Sequence, residues 1–488
     1  MNPPRRSLAL LLVTGCALAG AALTLLTGPA SPALGPAETG DRQLAADVRA
    51  SLRTERGYQS LSAARLQDGT VTYAGLGDAG GGTPPTPQTA FELGSITKTF
   101  TGLLLADGVD RGELRLDAPL STYLTELAET PVGDRTLLEL ATHTAGVPAF
   151  PDPAAPLVLA RGVGNTNTYA GTTDDVIASL RWTTIDERGQ YAYSNLGMTL
   201  LGYAEARAAG TADWPTLATQ RLLQPLGMTH TTFALTADAV PAGAAPPTND
   251  NGWPAAHWYG PAFAPAGSST WTTAEDLMRY AQAVLDGRAP GMKALDPVLP
   301  IPGGQIGLAW HERERDGATI TWHNGGTGGY RTILALDRER RQAVLILGNS
   351  TRHTDVTGLA LAAAPPGAAV VPVERPTVNR AATAAWGGLG LALVLGLLPV
   401  SVRPRPMTEV AGAGVGAVAG VLILLSHGPW MVVPAWVWGA VAGVTAALVV
   451  LSVRRSAPSP PGAPRRRRRT GLSWLCSILV LALAVWAL

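Results

Sequence analysis

The chain has 488 residues, a net charge of +1 and 46% hydrophobic residues. That length accommodates about two domains, and the balanced charge argues against nucleic acid as the main partner. Both cysteines, Cys16 and Cys476, lie in apolar runs, so the polar part has neither a disulfide framework nor a CxxC metal pair and must be held by core packing.

Arg5 and Arg6 precede an uncharged stretch at residues 7–27, SLALLLVTGCALAGAALTLLT. It is long for a signal-peptide core and long enough to span a bilayer, so residues 1–30 read as a signal peptide or an N-terminal membrane anchor. Val13-Thr14-Gly15-Cys16 resembles a lipoprotein cleavage box, but the residues after Cys16 stay apolar where a lipoprotein turns polar. Residues 28–40, GPASPALGPAETG, read as a flexible spacer.

Globular sequence spans residues 41–365. Leu44, Val48 and Leu52 recur at helical spacing, and two alternating segments at 60–66 and 71–75 flank Asp68-Gly69 as a hairpin. Helical patterns then dominate at 97–108, 137–143, 174–182, 195–208, 214–223 and 273–285. Strands return at 305–312, 319–323, 330–336 and 342–347, with Asp316-Gly317 as a turn and a last helical stretch at 356–363. Strands at both ends and helices between imply an α+β fold, an antiparallel sheet built from both ends of the domain around an inserted helical region. Gly75, Gly77 and Gly80 match GxGxxG, but GGTPPTP follows, and prolines forbid the helix a dinucleotide site needs.

Beyond the globular part, residues 381–488 hold four apolar runs, at 381–402, 408–425, 430–453 and 472–488. Trp386, Trp430, Trp438, Trp474 and Trp486 lie near several of their ends, as interfacial aromatics do. With Arg403, Arg405, Arg454, Arg455 and Arg465 to Arg469 placed in the cytoplasm beside Arg5 and Arg6, four transmembrane helices thread consistently. The globular part then lies outside the cytoplasmic membrane. None of the four runs carries an interior charge, which argues for an anchor rather than a transporter.

Three stretches carry chemistry. In FELGSITKTF, Ser95 and Lys98 stand one helical turn apart, and Lys98 is one of only two lysines in the chain. A serine hydroxyl needs a base, and a lysine serves when the positive end of a helix dipole and burial keep it neutral. Tyr193 and Asn195 stand at the entry of the next long helical pattern, where a phenol can share a proton with Ser95 and Lys98 and an amide can hold the lysine and a substrate carbonyl. His323, Asn324, Gly325 and Gly326 end a strand, where glycine lets substrate approach backbone N–H groups.

The ordered set Ser95-Ile-Thr-Lys98, Tyr193-Ser-Asn195 and His323-Asn-Gly325 resembles the serine β-lactamase and penicillin-binding-protein group, in its class C-like, β-lactamase-related branch. The phrases LLELATHTAGVP, QPLGMTHTTF, PAGSSTWTTAEDL and WHNGGTGGY extend the likeness over residues 45–350. The resemblance implies a β-lactamase/transpeptidase-like fold and an acyl-enzyme on Ser95, with Lys98 and Tyr193 sharing acid and base duty. Asn195, His323, Gly325 and Gly326 would contact substrate, and the N–H groups of Ser95 and Gly326 would form an oxyanion hole. His323 stands where β-lactamases carry the lysine of K-T-G, and a histidine charged only in part suits the β-lactam carboxylate less well. His143 in LATHTAG reads as structural. No metal or cofactor is implied. The function expected is a membrane-anchored serine hydrolase acting on a D-amino-acid peptide, a cell-wall fragment or an ester. The rival is a sensor that is acylated with little turnover.

Overall fold

The computed structural model describes residues 3–28, 30–365, 368, parts of 387–401, 406–427 and 435–455. The chain divides into two compact units, one Pro32–Glu374 and the other Met1–Ser31 with Arg375–Leu488.

In the larger unit β1 (Glu38–Gly40) leads into α1 (Arg42–Ser51), which Asp41 caps by accepting the Leu44 N–H at 2.7 Å. β2 (Ser60–Gln67) and β3 (Thr70–Gly77) form a hairpin. Its turn residues Asp68 and Gly69 have φ of 52° and 73°, the backbone a tight hairpin needs and Asp-Gly supplies. β4 (Phe91–Glu92) precedes α2 (Thr97–Asp110). Helices α3 (Leu137–Ala141), α4 (Ala155–Val163), α5 (Thr173–Ser179), α6 (Asn195–Ala208) and α7 (Trp214–Ala218) follow. Next come β5 (Thr232–Phe233), β6 (Thr270–Thr272) and α8 (Ala274–Leu285). The unit closes with β7 (Leu299–Ile301), β8 (Gly304–Ile306), β9 (His311–Arg315), β10 (Ala318–Gly326), β11 (Arg331–Asp337), β12 (Gln342–Gly348) and α9 (Asp355–Ala363).

The main sheet has nine antiparallel strands in the order β1-β3-β2-β12-β11-β10-β9-β8-β7. Its two halves join where β12 pairs with β2, Leu345 opposite Ala64. Alternation along the strands fills two cores. Ala63, Ile333, Val344 and Ile346 pack with Leu44 and Val48 of α1 and Leu359 of α9. Ala64, Leu334, Leu345 and Leu347 belong instead to the larger core with Phe100 and Leu103 of α2 and Tyr280 of α8. This is the α+β arrangement expected from the strand–helix–strand order.

Several details depart from the sequence reading. The stretch read as a spacer ends in β1, because Glu38–Gly40 finds an edge partner in β3, Gly40 opposite Ala74. The strand expected at 305–312 is two strands. At Ala309 φ is +63°, and its N–H leaves the ladder to donate to the Ala141 carbonyl at 3.0 Å. The helix expected at 174–182 ends in a 3-10 turn from Leu180, and that at 214–223 becomes a π turn from Thr219. A second sheet, β4-β6-β5, was not anticipated, since its strands are two or three residues long.

In the smaller unit the helix Pro3–Thr27 packs on the helix Ala435–Arg454 through small residues. A Cβ on Gly20 would lie 2.1 Å from the Gly439 carbonyl oxygen, and one on Gly443 would lie 2.0 Å from that of Cys16. Two segments, Leu8–Thr27 and Trp436–Arg454, are long and apolar enough to cross a membrane. The run at 408–425 falls in the helix Met407–His427. That at 381–402 is described only in part, and that at 472–488 lies outside the described residues, as do Arg465 to Arg469.

Candidate active site

Three backbone segments meet around Ser95, and each contact requires a glycine. Gly94 opens a 3-10 turn, Gly94–Ile96, that runs straight into α2. Its φ is +62°, and a Cβ there would lie 2.6 Å from the Gly326 nitrogen. At Gly267, φ +105°, a Cβ would strike the Gly94 carbonyl oxygen at 2.1 Å. At Gly325 it would strike the Leu93 carbonyl oxygen at the same distance. The sequence therefore presses the end of β10 and the loop before β6 onto the serine turn, and only hydrogen side chains permit that approach.

The register of β10 then exposes a donor beside Ser95. β9 covers β10 only as far as Trp322, opposite His311. The Thr327 N–H donates to the Tyr330 carbonyl across the turn, so Gly325–Thr332 is the next hydrogen-bonded pair of the β10–β11 ladder. Gly326, opposite Arg331, thus turns its N–H away from β11 to the open edge, next to Gly94 and Ser95.

Lys98 is fully buried, and its Nζ lies 2.9 Å from Ser95 Oγ. Nζ also donates to the Ala266 carbonyl at 2.8 Å and sits 4.9 Å from the centre of the Tyr193 ring. Burial pushes the Lys98 pKa well below that of a free lysine, which favours the neutral amine. A neutral amine that donates to Ala266 keeps its lone pair for the Ser95 proton. Tyr193 shows the opposite shift. Burial raises its phenol, with the Ser95 side chain the largest opposing contact. Tyr193 keeps 39% of its surface exposed, so solvent tempers that rise, which still leaves it a phenol at neutral pH.

Tyr193 is fixed from behind by His143. That residue has φ +58° just after α3 and is 2% exposed. Its Nδ1 accepts the Ser194 N–H at 3.3 Å, its carbonyl accepts the Ala192 N–H at 2.8 Å, and its ring centre is 4.6 Å from that of Tyr193. His143 thus clamps the residues on both sides of Tyr193, which suits the structural role read from sequence.

His323 is fully buried, and its Nδ1 lies 2.6 Å from the Asn324 carbonyl oxygen. Burial holds its pKa well below the usual range. The partly charged imidazole expected at this position is therefore a neutral one. Asn195 also differs from expectation. Its amide does not hold Lys98 but donates from Nδ2 to the Tyr169 hydroxyl at 2.6 Å. Tyr169 is itself locked among Phe150, Trp258 and Phe263, with ring centres 4.9, 4.7 and 4.9 Å away.

Ser95, Tyr193, Asn195, Gly325 and Gly326 line one cleft of about 590 Å³. Lys98 and His323 lie beneath its surface. Ile301, Pro302, Asn324 and Thr327 line it as well, and Tyr191, Trp258, His311, Trp322, Arg331 and His353 are lining residues missed from sequence. His311 Nε2 lies 3.1 Å from the Tyr191 hydroxyl, and burial holds its pKa down at about 4. The available signal was the tyrosine two residues before Tyr193. Nothing in the sequence marks Tyr169 or Arg331.

The family profile described as Beta-lactamase matches residues 42–365. The chain is 35% identical to a β-lactamase of Escherichia coli (strain K12) over 149 residues, 30% of this chain and 36% of that one. It is 26% identical to the human putative beta-lactamase-like 1 over 327 residues, 60% of this chain and 61% of that one. The chain thus spans less than two thirds of the length of either relative. With the D-alanyl-D-alanine-carboxypeptidase/endopeptidase AmpH of E. coli K12 it shares 26% identity over 289 residues, 52% of this chain and 69% of that protein. Among solved structures, the D-alanine carboxypeptidase AmpC from Burkholderia cenocepacia has a TM-score of 0.54 at 25% identity, covering 66% of this chain and 97% of its own. A class C β-lactamase has a TM-score of 0.54 at 22% identity, covering 63% and 90%.

Proposed function

Because the chain belongs to the β-lactamase family, we propose that it is a serine hydrolase acting through an acyl-enzyme on Ser95. The observation that carries this reading is the fully buried Lys98 amine 2.9 Å from Ser95 Oγ, with no carboxylate among its partners in the described residues and with burial disfavouring its charge. Lys98 Nζ takes the Ser95 proton as Oγ bonds to the substrate carbonyl carbon. The N–H groups of Ser95 and Gly326 receive the oxyanion. Tyr193, a neutral phenol, gives its proton to the leaving group as that bond breaks, and Lys98 returns the serine proton to Tyr193. Water then attacks the ester along the reverse path, and its proton restores Ser95.

The substrate class is a D-amino-acid peptide, a cell-wall fragment or an ester. A neutral His323 offers no cation to a β-lactam carboxylate, which favours peptidase or esterase activity over efficient β-lactamase activity. Similar proteins named as a D-alanyl-D-alanine-carboxypeptidase/endopeptidase and a D-alanine carboxypeptidase support the peptide arm. The apolar helices Leu8–Thr27 and Trp436–Arg454 support membrane anchoring, and the arginines flanking the C-terminal runs favour a hydrolase unit outside the cytoplasm.

A fluorophosphonate probe should label the wild type and spare Ser95→Ala. Steady product release from a small ester should accompany the labelling. Equal labelling of both proteins ends the claim for Ser95, and one burst without turnover ends the claim for hydrolysis.

A further inference from the structure

Arg331 is the group in the cleft that the acyl-enzyme chemistry leaves unused. It opens β11 opposite Gly326, and a Cβ on Gly326 would come 3.1 Å from its Nη1. Nη1 donates to the Thr327 and Tyr330 carbonyls, at 2.8 Å each, which pins the guanidinium against the end of β10. Nη2 and Nε have no hydrogen-bond partner among the described residues, yet the side chain lines the cleft. The acidic groups that act on it, Asp250 and Asp355, do so from beyond ion-pair distance, and Asp355 sits against His353 at 3.6 Å. Among the described residues no Asp or Glu lines the cleft. A guanidinium does not shed its proton, and a charge withdrawn from water without a counter-ion is costly. A fixed, largely desolvated cation with donors to spare, at the edge of a cleft without carboxylates, is built to receive an anion.

Its place along β10 says which part of the substrate carries that anion. The scissile carbonyl oxygen belongs between the N–H groups of Ser95 and Gly326. The leaving group must face its proton donor, Tyr193, whose ring centre is 6.4 Å from that of His323. Three residues of strand, about 10 Å, separate His323 from Gly326. Arg331 therefore lies at the opposite end from the leaving group, beside the acyl portion that stays on Ser95.

We propose that Arg331 forms an anion subsite for a carboxylate on the acyl portion of the substrate, held through Nη2 and Nε beside Gly326. This assignment rests on the acyl-enzyme reading above and narrows its substrates to carboxylated acyl donors. It is separate from any recognition of a leaving-group carboxylate at the His323 end.

The test compares two phenyl thioesters, 4-carboxyphenylacetyl and its uncharged 4-methylphenylacetyl counterpart, whose rigid ring keeps the carboxylate from attacking its own thioester. The wild type should prefer the charged acyl group by about ten- to a hundredfold in kcat/KM, mostly through KM, and added salt should shrink that preference. Arg331→Gln should abolish the preference, and Arg331→Lys should retain part of it. Fluorophosphonate labelling of Ser95 reports whether each variant is folded and keeps this proposal distinct from the nucleophile claim. If Arg331→Gln fails to label, the wild-type preference, its salt dependence and the lysine variant decide the matter. Equal turnover of the two thioesters by the wild type, or a preference that survives Arg331→Gln, overturns the proposal while leaving Ser95 intact.

Discussion

Replacing Lys98 in two ways separates its chemistry from its cost. Lys98→Met keeps a long apolar stem in a fully buried site and removes the amine. Acylation should then fall by about 10²- to 10⁴-fold, the usual worth of a positioned base. The Ala266 carbonyl loses its donor, a penalty of about 1–3 kcal/mol that relief from burying an amine offsets in part. Lys98→Arg also lacks a base, because a guanidinium keeps its proton. It further places a permanent charge where no carboxylate waits, at a cost of about 3–5 kcal/mol. The two variants should be equally slow, with the arginine form melting lower by about 3 °C for a gap of about 2 kcal/mol in a unit the size of Pro32–Glu374.

The pH dependence has a defined sign. The folded pKa of Lys98 lies below its unfolded value, so the unfolded chain binds the proton first as pH falls. Wild-type stability therefore declines below about pH 10, through the window down to the folded pKa, and Lys98→Met should gain on it there. Acylation by the wild type should fade on the acid side as the amine protonates. Single-turnover labelling and thermal melts on the same preparations read all of this. An arginine variant that acylates at the wild-type rate would refute the reasoning, as would methionine and arginine variants of equal stability.

Gly94→Ala should give a folded protein with acylation slowed more than about tenfold, because φ +62° and the Gly326 nitrogen at 2.6 Å both resist a Cβ and would spread the oxyanion donors; wild-type kcat/KM in this variant would show that the close contact is dispensable. His323→Lys should raise the rate of acylation by penicillins, and no gain would mean that the missing cation is not what limits them. The seam of Gly20, Gly439 and Gly443 predicts that the helix Pro3–Thr27 stays on the mature protein as a partner of Ala435–Arg454. An N-terminal tag should persist on the membrane-bound chain, and a mature N terminus beyond Thr27 would count decisively against the seam.

What could be read from the sequence was what local pattern controls. Asp-Gly at 68–69 and the apolar runs of β11 and β12 each dictate their own element. The failures are long-range. Glu38–Gly40 has no strand pattern and becomes a strand only because β3 offers an edge. Ala309 breaks the expected strand because a carbonyl from α3 claims its N–H. The site divides in the same way. Ser95, Lys98, Tyr193 and the glycines announce themselves by spacing, because their geometry is fixed within one turn or one strand. Tyr169 and Arg331 are invisible, because Tyr169 acts through a residue 26 positions away and Arg331 stands out only by having no carboxylate within ion-pair distance among the described residues.

The convergence also explains how Ser95 can be activated without an acidic partner. Burial pushes Lys98, His143, His311 and His323 toward their neutral forms and Tyr193 toward its phenol. Burial is the largest cause of each shift, and the surroundings are too dry to screen a charge on any one of these groups. Proton movement from Ser95 to Lys98 and from Tyr193 to the leaving group therefore starts from uncharged groups and separates charge only while the oxyanion exists. The glycine contacts make this possible, because Gly94, Gly267 and Gly325 let three backbones close over the amine. In this chain the glycines that admit the backbone are thus part of what sets the basicity of Lys98. A side chain at any of them would let water in, raise the lysine pKa and weaken the base without touching it.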